Sequence, residues 1–323
     1  TSTTTSSSSS SSTSTITTTP KNFSFEKETF FFFRFLLCFV FLFRSRCERM
    51  LSRCLLSSPL LFGARALSTS TSLYAERDIT HWHEFGKKIV AIGRNYSEHA
   101  KELGNDVPTS PFFFLKPTTS YVPMCNKNGV TVEVPPNCTS IHHEVELGVV
   151  IGKDGRDIDE ENAFDHVAGY CVALDMTARE IQTKAKNAGL PWSEAKGYDT
   201  FCPIGGFVQK SAIPDPHSIH LRMTVNGEIK QEGCSDLMIF NIPALIAHIS
   251  RVMKLEVGDL ILTGTPSGVG PVVEGDEIIA ELLPAHSGHS TENPHPPPPS
   301  LHPLSTITGK VVNRHHVDLI EEE

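Results

Sequence analysis

Residues 144–151, Glu-Val-Glu-Leu-Gly-Val-Val-Ile, constrain the fold more than any other stretch of this chain. From Leu147 to Ile151 every position is apolar or glycine, so a strand here has no polar face and needs cover on both sides. It must be an inner strand of a packed sheet. The same strand opens with two acids. Alternate side chains of a strand share a face, so Glu144 and Glu146 project together at close range, and paired carboxylates beside a buried run need a cation. Asp175, at the end of the apolar run 168–174, supplies a third carboxylate from another strand end. Such an all-oxygen set suits a hard divalent ion, Mg²⁺ or Mn²⁺. An isolated Glu-x-Glu reads as readily as a solvated strand face; the buried continuation sets this one apart.

Short strands are expected at 88–92, Val130–Val134, 144–151, 168–174 and 259–262. Asn226-Gly227 between alternating residues predicts a hairpin. Helices are expected over 97–104, ending at Gly104, over 159–166, and from Pro243 to Met253. Thr177-Ala178-Arg179-Glu180 carries a capping-box pattern that predicts a helix stopping at Gly189, with Arg179, Gln182 and Lys186 on one face. Many short strands and few helices predict an α+β domain on a mixed or antiparallel sheet. A glycine fingerprint placed for dinucleotide binding is missing. The loop 264–270 can offer backbone N–H groups to an anion, or be a plain tight loop.

The first methionine is Met50, and the Thr/Ser repeat and Phe-rich tract before it read as translated upstream sequence, residues 1–49. The Phe-rich tract is short for a membrane span and contains Arg34, so no membrane partner is expected. Residues 50–75 contain Arg and Ser but no acid, the composition of a transit peptide, with the mitochondrial matrix favoured over the plastid. Residues 1–75 hold eight basic and three acidic side chains of the chain's 28 and 37, which leaves 20 against 34 and a formal charge of −14 beyond them. Nucleic acid is an unsuitable partner for that surface. Eight cysteines without a C-x-x-C pair fit a reduced compartment. A catalytic domain is expected over 80–284. Residues 285–304, rich in Pro and His, cannot bury a core and read as a disordered insertion, and 305–323 as a final strand with an acidic tail.

Five motifs occur in order: Gly93-Arg94-Asn95-Tyr96-x-x-His99-x-x-Glu102, Phe114-Leu115-Lys116-Pro117, His143-Glu144-x-Glu146-Leu147, Leu174-Asp175-Met176-Thr177-Ala178-Arg179 and Leu262-Thr263-Gly264-Thr265-Pro266-x-Gly268-Val269-Gly270. Over roughly residues 87–283 the chain thereby resembles the fumarylacetoacetate hydrolase superfamily, in particular its mitochondrial acylpyruvase and oxaloacetate decarboxylase branch. The resemblance implies a mixed β-sheet or β-roll with a few short helices, a homodimer, and one divalent metal per subunit. It implies Glu144, Glu146 and Asp175 as metal ligands, His99 and Glu102 as a water-activating dyad, and Lys196 as a catalytic lysine. Arg94, Lys116, Arg179, Gln182 and Thr265 fall where the family contacts substrate or holds the site together.

The chemistry also stands on the residues. Three carboxylates around Mg²⁺ leave coordination positions for the carboxylate and keto oxygens of a 2-oxo acid, and a metal there stabilises an enolate. Cleavage of an acylpyruvate (a 2,4-dioxo acid) expels that enolate, and so does loss of CO₂ from oxaloacetate. His99 and Glu102, three apart on a helical turn, can activate the water that cleavage needs, on an element suited to act as a lid. The leading expectation is a metal-dependent acylpyruvate hydrolase that also decarboxylates oxaloacetate. The alternatives are a 2-oxo acid tautomerase on the same metal and a non-catalytic metal-dependent binding module. Nitrogen ligation by His142 and His143, which would favour Zn²⁺ or Fe²⁺, conflicts with strand alternation, since only His142 shares a face with the glutamates; it is kept as a partner to the metal ligands.

Overall fold

The strand Val145–Ile151 is buried at all seven positions because a neighbour lies on each edge and a core on each face. In the computed structural model, which describes residues 77–102, 104, 106–124, 129–284 and 301–314, it pairs antiparallel with Val167–Leu174 and with Leu260–Leu262. These belong to an eight-stranded mixed sheet. Its path runs Phe113–Lys116, Ile89–Ile92, Leu260–Leu262, Val145–Ile151, Val167–Leu174, Cys202–Ile204 and Tyr121–Pro123, and Val208–Gln209 also pairs with Val167–Leu174. Gly148 is needed at the centre of this sheet, since a Cβ there would come within 2.7 Å of Cys171 Sγ.

Strand alternation sorts the side chains into two cores. Val145, Leu147, Val149, Val172 and Leu174 pack with Leu221, Met223, Leu282, Ile307 and Val311 of a second, five-stranded sheet. That sheet runs Glu228–Cys234, His220–Val225, Glu277–Leu283, Ser305–Asn313 and Val130–Val134. On the opposite face Val150, Cys171 and Ala173 pack with Trp82, Ile89, Ala91 and Leu262. Glu146 lies on this second face, next to Ala173 across the ladder.

The fold agrees with the α+β, mixed-sheet expectation. Asn226 and Gly227 take positive φ values of 52° and 81° at the hairpin, as a tight two-residue turn requires. The helix Ile242–Val252 starts at Asn241, whose side chain accepts from Ala244 N at 2.9 Å, and buries Leu245, Ile246 and Ile249. Ser305–Asn313 forms the expected final strand, antiparallel to Glu277–Leu283 and parallel to Val130–Val134.

Three local expectations change. The strand 144–151 is interrupted at Glu144, where the chain passes from a three-stranded sheet (Gly270–Val272, Ile141–His143, Thr177–Ala178) into the eight-stranded one. The segment Glu160–His166 is a 3₁₀ helix, not an α-helix. The capping box does not form: Arg179–Ala188 is helical and ends at Gly189 with φ +66°, but the Thr177 hydroxyl is bonded to Glu144 Oε1 at 3.0 Å and no side chain caps the start. Expectations for residues 1–75, most of the Pro/His tract and the acidic tail lie outside the described residues. Among the described residues no helix is long and apolar enough to cross a membrane.

Candidate functional site

The ladder between Val145–Ile151 and Val167–Leu174 assembles the three acids. Val145 pairs with Leu174 and Glu146 with Ala173, so continuing the register one step sets Glu144 across from Asp175. The Asp175 N–H donates to the Glu144 carbonyl at 2.9 Å, extending the pairing past the strand end. With a two-residue period, Glu144, Glu146 and Asp175 share the face on which Ala173 leaves room. All three are buried, and one carboxylate oxygen from each lies within 4.8 Å of the others.

Cations surround this cluster. Lys196, at the end of the short helix Ser193–Lys196, is 1% exposed and donates to Glu144 Oε2 at 2.8 Å and Asp175 Oδ2 at 2.5 Å. Arg179 Nη2 donates to Glu144 Oε1 at 2.5 Å, and its Nη1 to Gln182 Oε1 at 2.6 Å. Lys116 Nζ donates to Asp175 Oδ1 at 2.7 Å and to the carbonyls of Met176 and Lys196 at 3.2 and 2.6 Å. Burial pushes the Glu144 carboxyl up, but Lys196, Arg179 and His99 outweigh it and hold the group well below the usual carboxylate range. Glu146 goes the other way: burial first, then the charges of Asp175 and Glu144, drive it well up, opposed by Lys196 and by the Gly264 N–H at 2.7 Å. Burial lowers the Lys196 ammonium, and Asp175 and Glu144 more than compensate, so it stays charged.

The donor set fits a divalent ion. Glu144, Glu146 and Asp175 would offer such an ion only hard oxygen ligands, converging within 4.8 Å of one another. Lys116, Lys196 and Arg179 offset the charge of the carboxylates that a dication would need ionised. Neither His142 nor His143 joins the acids. His142 Nε2 pairs with Ser140 Oγ at 3.1 Å and His143 Nδ1 with Gln231 Oε1 at 2.8 Å, so the expected His142 partnership with the metal ligands takes no hydrogen-bonded form.

A cavity of about 280 Å³ opens onto the acids, lined among others by Arg94, His99, Arg179, Gln182, Trp192 and Thr265. That is small for a ligand site and suits a few-carbon acid. His99 sits on the helix Ser97–Glu102, 5% exposed, with Nδ1 3.4 Å from Glu102 Oε2. Burial lowers its basicity, partly offset by Glu144 and Glu102, so the ring is neutral at neutral pH. Glu102 is exposed and accepts from Gly268 N at 3.1 and 3.2 Å. The loop 264–270 thus offers its N–H groups to the chain's own carboxylates, Glu146 through Gly264 and Glu102 through Gly268. Arg94 takes a positive φ of 55° and lies 5.5 Å from the Phe112 ring.

Two of the residues expected to contact substrate or hold the site together make contacts of the second kind. Lys116 does not line the cavity; its amine donates to Asp175 and to the Met176 and Lys196 carbonyls. Thr265 reaches the cavity, yet its hydroxyl donates to the Val145 carbonyl at 2.8 Å. Two buried amides escaped the sequence reading, Gln231 and Asn95. The Asn95 side chain ties the Gly93–Tyr96 turn to Thr263 O at 2.8 Å and to both backbone groups of Phe240.

The profile described as Fumarylacetoacetate (FAA) hydrolase C-terminal matches residues 88–309. Among curated proteins, "Oxaloacetate decarboxylase, mitochondrial" of Dictyostelium discoideum is 58% identical over 195 residues, 60% of this chain and 88% of the relative. "Oxaloacetate tautomerase FAHD1, mitochondrial" of Homo sapiens is 48% identical over 208 residues, 64% of this chain and 92% of the relative. Among solved structures, the fumarylpyruvate hydrolase from Pseudomonas aeruginosa in complex with Mn²⁺ and pyruvate is 32% identical with a TM-score of 0.60, over 71% of this chain and 91% of that one.

Proposed function

This chain belongs to the fumarylacetoacetate hydrolase family, a family of enzymes, and from that we propose that it interconverts the keto and enol forms of oxaloacetate or a closely similar 2-oxo diacid, using a divalent ion. The observation that carries this reading is a buried three-carboxylate cluster and a neutral, buried imidazole on one small cavity. Glu144, Glu146 and Asp175 would hold the ion, Mg²⁺ or Mn²⁺, which supplies Lewis acidity at the keto oxygen and so acidifies the neighbouring C–H. The Mn²⁺ bound by the Pseudomonas relative supports that ion class.

His99 acts as the base. With Nδ1 turned to Glu102, Nε2 is left to take the C3 proton; the C–H electron pair moves into the C2–C3 bond and the C2 oxygen takes the charge. Protonation of that oxygen releases the enol, and return of the proton to C3 releases the ketone. Glu102 supports the imidazolium in between. Arg94, Arg179 and Gln182 line the cavity as donors for the substrate's carboxylates. Lys196 keeps Glu144 and Asp175 in place and lends positive charge beside the developing enolate.

Loss of CO₂ from oxaloacetate passes through the same enolate, and the name of the Dictyostelium relative supports decarboxylation at this centre. A second reading, hydrolysis of acylpyruvates, is favoured by the His99···Glu102 pair, which suits water activation, and by the fumarylpyruvate hydrolase relative. Mitochondrial residence rests on the names of the relatives and on the acid-free, Arg- and Ser-containing stretch 50–75. A non-catalytic role loses support because every expected position is intact.

The test is the rate at which enol oxaloacetate, freshly dissolved, loses its ultraviolet absorbance with Mg²⁺ and the purified protein, compared with Mg²⁺ alone. Equal rates would sink the proposal. Parallel assays of pyruvate release from oxaloacetate, acetylpyruvate and fumarylpyruvate rank it against decarboxylation and hydrolysis.

A further inference from the structure

Gln231 comes from the five-stranded sheet, on a strand whose neighbouring side chains are largely exposed, yet it is 1% exposed itself. Its amide is fully engaged. Oε1 accepts from Val145 N at 3.1 Å and pairs with His143 Nδ1 at 2.8 Å, while Nε2 donates to Thr265 Oγ1 at 2.8 Å and to the Pro266 carbonyl at 2.9 Å. The Thr265 hydroxyl passes its own proton to the Val145 carbonyl at 2.8 Å. Donor and acceptor assignments are therefore fixed around a closed ring: Val145 N–H to Gln231, Gln231 to Thr265, Thr265 to Val145 C=O.

Val145 is the one residue between Glu144 and Glu146, and it sits where the chain leaves one sheet for another. The ladder to Val167–Leu174 sets one edge of this junction. The ring captures both backbone groups of Val145 from the other side, and so fixes the angle at which its two flanking carboxylates converge. It also anchors Thr265-Pro266 next to Gly264, whose N–H orients Glu146. We propose that Gln231 is a positioning residue for the metal centre, acting with Thr265 as a clip that presets the Glu144–Glu146 geometry. Gln231 does not line the cavity.

This inference rests on the reading that the three acids hold a divalent ion, and the experiment separates the two. Mn²⁺ is titrated calorimetrically into the full chain after EDTA stripping, for the parent, Gln231→Leu, Thr265→Val and the double variant. Residues that orient metal ligands typically change affinity by about 10- to 100-fold when removed. The expected result is that loss in each single variant, no further loss in the double, and recovery in Thr265→Ser, which restores the hydroxyl. Parent-like affinity in Gln231→Leu with a lowered metal-free melting temperature would make Gln231 merely structural and overturn the clip while leaving the metal reading intact. Failure of the parent to bind Mn²⁺ overturns both. Should Gln231→Leu not fold, Thr265→Val decides alone, and unchanged affinity there refutes the inference.

Discussion

Lys116→Met should cost far more stability than its single salt bridge suggests. The Lys116 amine has no side-chain exposure and three acceptors, Asp175 Oδ1 and the carbonyls of Met176 and Lys196. Methionine fills nearly the same volume, so the packing term is small and the loss is almost wholly polar. Removing one partner of a buried ion pair costs about 3–5 kcal/mol, because the other charge stays behind without compensation. Asp175 keeps Lys196 on its second oxygen, which argues for the lower end, but two carbonyls also lose a donor at about 1–3 kcal/mol each if water cannot reach them. An expected loss of at least about 3–5 kcal/mol follows, the ion-pair part alone, or a melting temperature lower by at least about 6–20 °C in a domain of this size. The measurement is urea unfolding at pH 7.5 in EDTA, with Lys87→Met as the control. Lys87 makes an equally short contact to Glu256, 2.7 Å, but in solvent, so its removal should be barely measurable. A Lys116→Met loss as small as that of Lys87→Met would refute the claim that this amine holds Asp175 and the two carbonyls in place.

Burial holds His99 below the ordinary histidine range, so it gains a proton only as pH falls under about 6.5; kcat/KM for tautomerisation should decline there, and His99→Gln should lose that acid limb along with most of the rate. Glu146 has a folded pKa raised by burial and by Asp175 and Glu144, so the folded state binds more protons than the unfolded one and metal-free stability should fall as pH rises above about 4.3. Glu146→Gln in EDTA should therefore melt higher than the parent at pH 8 while binding Mn²⁺ at least tenfold more weakly, and a lower melting point would contradict the charge crowding. Gly227→Val places a β-branched residue at φ +81° and should destabilise by about 1–2 kcal/mol in urea without affecting Mn²⁺ affinity.

The elements legible from sequence were those whose signals are local. An unbroken apolar run marks Val145–Ile151 as buried on both faces, and Asn226-Gly227 marks its hairpin, because each depends on backbone preferences or burial within a few residues. The spacing of Glu144 and Glu146 also pointed to a shared face. What the sequence could not show was register. Asp175 meets Glu144 only because Val145 pairs with Leu174, and a shift of one residue would turn it to the opposite core. The burial of Lys116, which only the family resemblance marked, and the role of Gln231, which nothing marked, were hidden for a related reason. Each is polar in a setting that reads as a strand edge or a solvated strand, and each is buried by partners far along the chain, Asp175 for one and Val145 with Thr265 for the other. The Thr177 capping pattern misled because a nearby carboxylate, Glu144, competes for the same hydroxyl.

The way the site is divided between elements bears on why one family can carry tautomerases, decarboxylases and hydrolases. The three acids, Lys116 and Lys196 are fixed by a strand ladder, by mutual hydrogen bonds and by the Gln231–Thr265 ring, all of them buried. In the proposed function, enolate stabilisation, which all three reactions would share, falls to this buried part of the site. His99 and Glu102 sit instead on a six-residue helix that buries only His99 and Ala100. Glu102 meets the rest of the site through a single backbone amide, that of Gly268, and through His99. Within the family, reaction type should vary with the sequence flanking His99 and Gly268 while the Glu-x-Glu and Asp positions stay fixed.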